Sequence, residues 1–122
     1  MSSISRVDSV GIPSTDWERS RRFYVETLGL RPDEHTKAEF WAGDTCFAIW
    51  MPEQWGEDFE PQANAIVLLR VDDVEAARAE LEARGVEFAD ETYDTGVCHM
   101  APFADPDGNR FMLHRRYAPR ES

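Results

Sequence analysis

The sequence predicts an α+β fold of two β-α-β-β-β modules, whose mixed sheets curl around a cup-shaped cleft. Three observations carry this. Several short strand-like runs alternate with only two helical stretches, which places helices on one side of each sheet. Asp105-Pro106-Asp107-Gly108-Asn109, set between apolar runs, is a turn signal that closes an antiparallel hairpin. The plan of the first half also starts again in the second. An offset of about 57 residues lays Asp16-Trp17-Glu18 on Asp73-Val74-Glu75, and Leu28-Gly29-Leu30 close to Arg84-Gly85-Val86.

Residues 4–12 alternate apolar and polar side chains, as a half-buried strand does. Pro13 stops that ladder, Thr15 is placed to cap a helix, and Glu18 completes a capping box. The helix runs to about Leu28 on an inner stripe of Trp17, Ser20 or Arg21, Tyr24 and Leu28, supported by Phe23, and Gly29 ends it. Short strands follow near 34–42 and 45–51 around Ala42-Gly43-Asp44. The segment from Pro52 to Asn64 is acidic and carries Trp55 and Phe59, so it reads as a loop.

In the second module, Ala65 to Val71 is a strand and Asp72 and Asp73 offer a cap. Val74, Ala77 and Leu81 line a helix that ends at Arg84-Gly85. Val86 to Ala89 reads as a short strand. The closing hairpin pairs residues 97–104 with 110–116. Asp105 and Asp107 serve its turn rather than catalysis, and Gly108 takes the left-handed position. The chain is thus one domain over 1–122, with module one at about 4–51, a loop at 52–63 and module two at about 64–117.

Charge and composition narrow the function. The chain has 13 Lys and Arg against 24 Asp and Glu, a net charge of −11. Nucleic acid and anionic membranes are disfavoured as partners. A neutral or cationic small molecule is compatible, and an acidic surface also serves solubility. No apolar run is long enough to span a bilayer. Met1 to Val7 lacks a basic segment followed by an apolar core, so no export signal is expected. Cys46 and Cys98 sit in strand-like runs, which suits reduced thiols in a cytoplasmic protein. Phosphate loops, His-Glu-x-x-His helices, Cys-x-x-Cys pairs and nucleophile elbows are absent.

Four motifs occur in register: Val7-Asp8-Ser9-Val10-Gly11-Ile12, Phe23-Tyr24-Val25-Glu26-Thr27-Leu28-Gly29-Leu30, Val71-Asp72-Asp73, and Asp105 to Asn109. Together they resemble the glyoxalase / bleomycin-resistance protein / extradiol dioxygenase superfamily, the vicinal oxygen chelate proteins. The resemblance spans nearly the whole chain. It implies paired modules, a cup-shaped site and a homodimer. The superfamily includes lyases, isomerases, dioxygenases and plain drug-binding proteins, so fold alone does not choose among them. Its enzymes hold a divalent metal with His and Glu from equivalent strands. Carried over, those positions fall at Ser9, Ile66 and Met112, and near Ala48. Such side chains do not replace imidazole and carboxylate, so the resemblance implies a lost metal site and no cofactor.

Strand parity names the candidate site. The cup face carries Ser9, Gly11, Cys46, Ala48 and Trp50 from the first module, and Ile66, Leu68, Arg110, Met112 and His114 from the second. An apolar wall with an indole, a hydroxyl and an imidazole suits a small ligand, aromatic or cationic. Trp41, Trp50 and Trp55 equally suit a dimer seam, and Trp55 and Phe59 a cover over the mouth. His99 and His35 read as structural or exposed, and Cys98 as a buried filler. The leading expectation is sequestration of a small molecule without metal. The enzymatic alternative is a lyase, isomerase or dioxygenase that uses a Cys46/His114 metal site or His114 as general base. A third reading is a protein-interaction module whose cup is filled by its own side chains.

Overall fold

The computed structural model describes residues 2–120. Met1, at the start of the segment read for an export signal, and the last two residues of the 1–122 domain lie outside it. The chain divides into two compact units, Met1–Glu60 and Pro61–Ser122. Each contains a four-stranded mixed sheet that is curled but not closed, and the strand order is the same in both.

In the first unit the elements are β1 (Val10–Pro13), α1 (Trp17–Arg22), β2 (Arg31–Pro32), β3 (Glu39–Ala42) and β4 (Thr45–Trp50). They form a sheet of order β1-β4-β3-β2, in which β1 runs parallel to β4 and the other pairs are antiparallel. In the second unit β5 (Val67–Arg70), α2 (Val74–Ala83), β6 (Tyr93–Asp94), β7 (Cys98–Ala104) and β8 (Arg110–Arg116) repeat the plan as β5-β8-β7-β6. Two β-α-β-β-β modules are therefore present.

The helices bury one face of each sheet. Tyr24, fully buried, stacks on Phe40 of β3 at 6.0 Å between ring centroids, and Trp17 does so at 6.2 Å. Ile12, Phe47 and Ile49 complete that core. In the second unit Val74 and Leu81 of α2 are buried together with Ala101, Phe103, Phe111 and Leu113. Phe103 and Phe111 face each other across β7 and β8 and stack at 5.7 Å. Burying such a side chain contributes about 1.5–3 kcal/mol.

Several local readings are corrected. The first strand begins at Val10 rather than at residue 4. Its partner β4 begins at Thr45, and Val10 already stands opposite Phe47, so earlier residues have almost no partner strand to pair with. Ile4 and Val7 are accordingly exposed. Pro13 closes β1 from within, in register with Trp50. Asp16, not Thr15, caps α1, its carboxylate accepting from Arg19 N–H at 3.1 Å. After Arg22 the helix widens into a π-helical turn, Phe23–Thr27. The loop after β4 opens with a 3₁₀ turn, Pro52–Trp55.

Strand 86–89 does not form; Phe88 makes a single bridge to Phe103. The reason is the end of α2. Val86 N–H donates to Leu81 O and Gly85 N–H to Glu82 O, both at 3.0 Å, so the backbone is spent on closing the helix. The fourth strand forms later, at β6.

The β7–β8 turn is held by two buried side chains. Asp105 Oδ1 accepts from Asp107 N–H at 3.0 Å and Asn109 N–H at 2.8 Å. Asn109 Nδ2 donates to Asp105 Oδ2 at 2.8 Å, while its Oδ1 accepts from Gln62 N–H at 2.8 Å. Gly108 sits at φ +90°, where a Cβ is strained. The Asp105 carboxylate thus acts in the turn, and Asp107 contributes its backbone N–H. Asn109→Ala removes the buried side-chain bonds to Asp105 and Gln62. It is expected to lower unfolding stability by about 2–4 kcal/mol, read by urea denaturation, against less than about 0.5 kcal/mol for exposed Ala79→Gly corrected for helix propensity.

Candidate functional site

Register decides what the uncovered face of each sheet presents. On the first sheet Gly11 stands opposite Ala48, Glu39 opposite Ala48 on the other side, and Trp41 opposite Cys46. Gly11, Cys46, Ala48 and Trp50 therefore share the face away from Phe47 and Ile49. Ala48 and Trp50 are half-buried. A Cβ on Gly11 would lie 3.5 Å from Trp50 Nε1, so the indole rests against the bare backbone of β1. Cys46 is buried, and burial followed by the charges of Glu39, Asp33 and Asp8 pushes its thiol pKa up. It is a protonated filler rather than a thiolate. Ser9 precedes β1 and is exposed. Trp41 is engaged locally: its Nε1 donates to Asp33 at 2.9 Å, and Arg31 lies over its ring at 5.6 Å. Trp55 is 75% exposed, while Phe59 is half-buried.

On the second sheet Leu68 pairs with Met112 and Met112 with Pro102. The next row on that face runs across all four strands: Arg70, His114, Met100 and Tyr93. Arg110 lies on the same face by parity, exposed, its guanidinium donating to Ala63 O at 3.4 Å. Ile66 immediately precedes β5 and is half-buried. Of the residues expected from sequence, Leu68, Met112 and His114 thus come together. Leu68 is 48% exposed.

His114 is half-buried. Burial first, then Arg120 and Arg116, hold its pKa below the ordinary 6.5, so the imidazole is neutral at pH 7. His99 and Asp94 form a separate network, with His99 Nε2 3.4 Å from Asp94 Oδ2 and Tyr117 O–H donating to Asp94 Oδ1 at 2.7 Å. His99 is thus a structural partner, and exposed His35 donates its N–H to Asp33 at 2.9 Å. Among the described residues no three His, Cys, Asp or Glu side chains converge as a metal site would require. No helix among them is long and apolar enough to cross a membrane.

Sequence reasoning stopped short of Arg70 and Arg116. Each lies two residues beyond a named candidate, Leu68 or His114, so the same parity reaches them. Met100 joins from β7, opposite His114, and Tyr93 from β6, a strand that the sequence pattern places at 86–89 instead.

The profile of the Glyoxalase/Bleomycin resistance protein/Dioxygenase superfamily matches residues 6–113. The chain belongs to this superfamily. Among solved structures, TnmS3, an antibiotic binding protein from Streptomyces sp. CB03234, is 31% identical, with a TM-score of 0.72, covering 95% of this chain and 99% of its own. A superfamily member from Sphaerobacter thermophilus DSM 20745 is 26% identical at a TM-score of 0.75, with 91% and 97% covered. A glyoxalase/bleomycin resistance protein from Streptomyces sp. CB03234 is 31% identical at a TM-score of 0.63, with 87% and 96% covered. No protein of curated function matches the chain.

The depressed His114 pKa has a sign. Unfolding frees the imidazole to bind a proton near pH 6.5, so its contribution to stability is complete above that pH and is lost as pH falls through the lower folded value. Urea denaturation at pH 7.5 and 5.5 is expected to show a smaller acid loss in His114→Gln than in the parent chain.

Proposed function

We propose that this protein binds a small, largely apolar molecule on an uncovered sheet face, without a metal, and acts by sequestering it. The observation that carries the reading is the face shared by Leu68, Met112 and His114. It exposes apolar surface on a sheet face and places one neutral imidazole beside it. Apolar surface with a few polar groups to orient the ligand is a common way in which small molecules are held. Side-chain chemistry supports the metal-free part. Ser9, Ala48, Ile66 and Met112 stand where the family resemblance puts metal ligands, and none supplies an imidazole or carboxylate. The likeness to TnmS3, an antibiotic binding protein, supports a binding role over a catalytic one.

The enzymatic rival uses His114 as base. Its neutral state suits that role, but a base needs an orienting partner, and the side chains around it in its own unit are arginines rather than carboxylates. We further propose a homodimer, with exposed Trp55 at a seam or mouth, and a cytoplasmic setting in keeping with two free, buried thiols.

The test is titration of chelator-treated protein with a panel of aromatic antibiotics, followed by tryptophan fluorescence and calorimetry. At least one compound is expected to bind. His114→Ala or Trp50→Ala should weaken it at least tenfold, about 1.4 kcal/mol, at unchanged melting temperature. Loss in one variant assigns the ligand to that module's face. Unchanged affinity in both, with a weakened dimer by sedimentation, contradicts the reading and makes these residues interface core.

A further inference from the structure

Beside His114 the second sheet's uncovered face runs into a groove of about 460 Å³, lined by Leu68, Arg70, His114, Arg115, Arg116 and Arg120 among others. Four of the chain's 13 basic residues meet there, and among the described residues no carboxylate lines it, in a chain of net charge −11. Such a concentration runs against the bulk charge.

The partners of these guanidiniums leave their charge in place. Arg116 Nε and Nη2 donate to Ala118 O at 2.9 Å and Pro119 O at 3.2 Å, and Arg115 Nη1 donates to Arg116 O at 2.6 Å. Carbonyl oxygens orient a cation but do not neutralise it. Arg70 lies 3.5 Å from Asp72, with both side chains largely in water, where an ion pair is weak and readily exchanged. The downward pressure of Arg116 and Arg120 on the His114 pKa reports the same positive potential at the sheet face.

We infer that this groove is an oxyanion subsite. It takes the carboxylate or phosphoryl group of the bound small molecule, whose apolar part lies on Leu68 and Met112. The inference rests on the ligand-binding reading of this face and names the ligand class. Guanidinium forks match the geometry of both oxyanions and bind them through paired, charge-assisted hydrogen bonds. The neutral imidazole adds one further donor. Groove volume is within the range that holds a small ligand. The acidic remainder of the chain repels an anion at long range, so recognition depends on these few residues rather than on net charge.

Phenyl phosphate, benzoate and benzyl alcohol share a ring and differ in the polar group. Binding of each to the full chain, followed by amide and arginine side-chain NMR shifts, tests the assignment. One of the two anions is expected to bind at least tenfold tighter than benzyl alcohol, shifting Leu68, Met112 and His114, and to weaken as salt is raised. Their ranking identifies the oxyanion. The Arg70→Gln/Arg120→Gln double variant should lose that preference at unchanged melting temperature. Benzyl alcohol bound on the same face as tightly as the anions overturns the oxyanion subsite and leaves the ligand-binding reading intact. So does anion binding that the double variant does not weaken. No shift at this face with any of the three overturns both for the second module.

Discussion

The Asp105–Asn109 pair is the constraint on which the second module depends. Asn109 joins the β7–β8 turn to the chain entering β5, because one end of its amide holds Asp105 and the other accepts from Gln62 N–H. The start of β8 is thereby fixed against both of its neighbours. Side chains on a strand have a period of two, so a slip of one residue would exchange the faces. Phe111 and Leu113 would leave the core, and Met112 and His114 would enter it. Buried hydrogen bonds at the turn and apolar burial along the strand enforce the same register. Core packing and the candidate site are therefore two consequences of one alignment.

The two modules share topology but not content. The face of the first sheet is small and aromatic: Gly11, Ala48 and Trp50, with Cys46 buried among them. That of the second is a row of apolar side chains leading to His114 and the arginines. The same frame is built twice, with different side chains at equivalent positions. Net charge and local charge also point in opposite directions. A charge of −11 describes the average surface, whereas the proposed oxyanion groove is lined by four arginines and, among the described residues, by no carboxylate.

Most of the fold was legible because its signals are local. Gly29, Gly85 and Gly108 all take positive φ, and Asp73 caps α2, its carboxylate accepting from Ala76 N–H at 3.0 Å. The repeat at an offset of about 57 residues fixed the topology, since each copy corroborates the other. What was misread depends on long-range pairing. Residues 4–9 alternate as a strand does but have almost no partner in β4, and in the β-prone run from Val86 to Ala89 the Val86 N–H closes α2 while only Phe88 bridges to Phe103. The site was legible as parity and illegible as burial. Parity put Cys46 beside Ala48 and Trp50 correctly, yet could not reveal that its thiol is hidden. It would have reached Arg70 and Arg116 if extended by one more period on each strand.

The account turns on whether binding proceeds without a metal. Calorimetric titration of chelator-stripped protein with Zn, Ni, Mn and, anaerobically, Fe(II) tests this most directly. Absence of specific binding is the predicted result, because imidazole and carboxylate are missing from the positions where relatives with metal chemistry would need them. Tight binding of one metal per chain, abolished in His114→Ala, would contradict the account and place this chain among the superfamily's metalloenzymes.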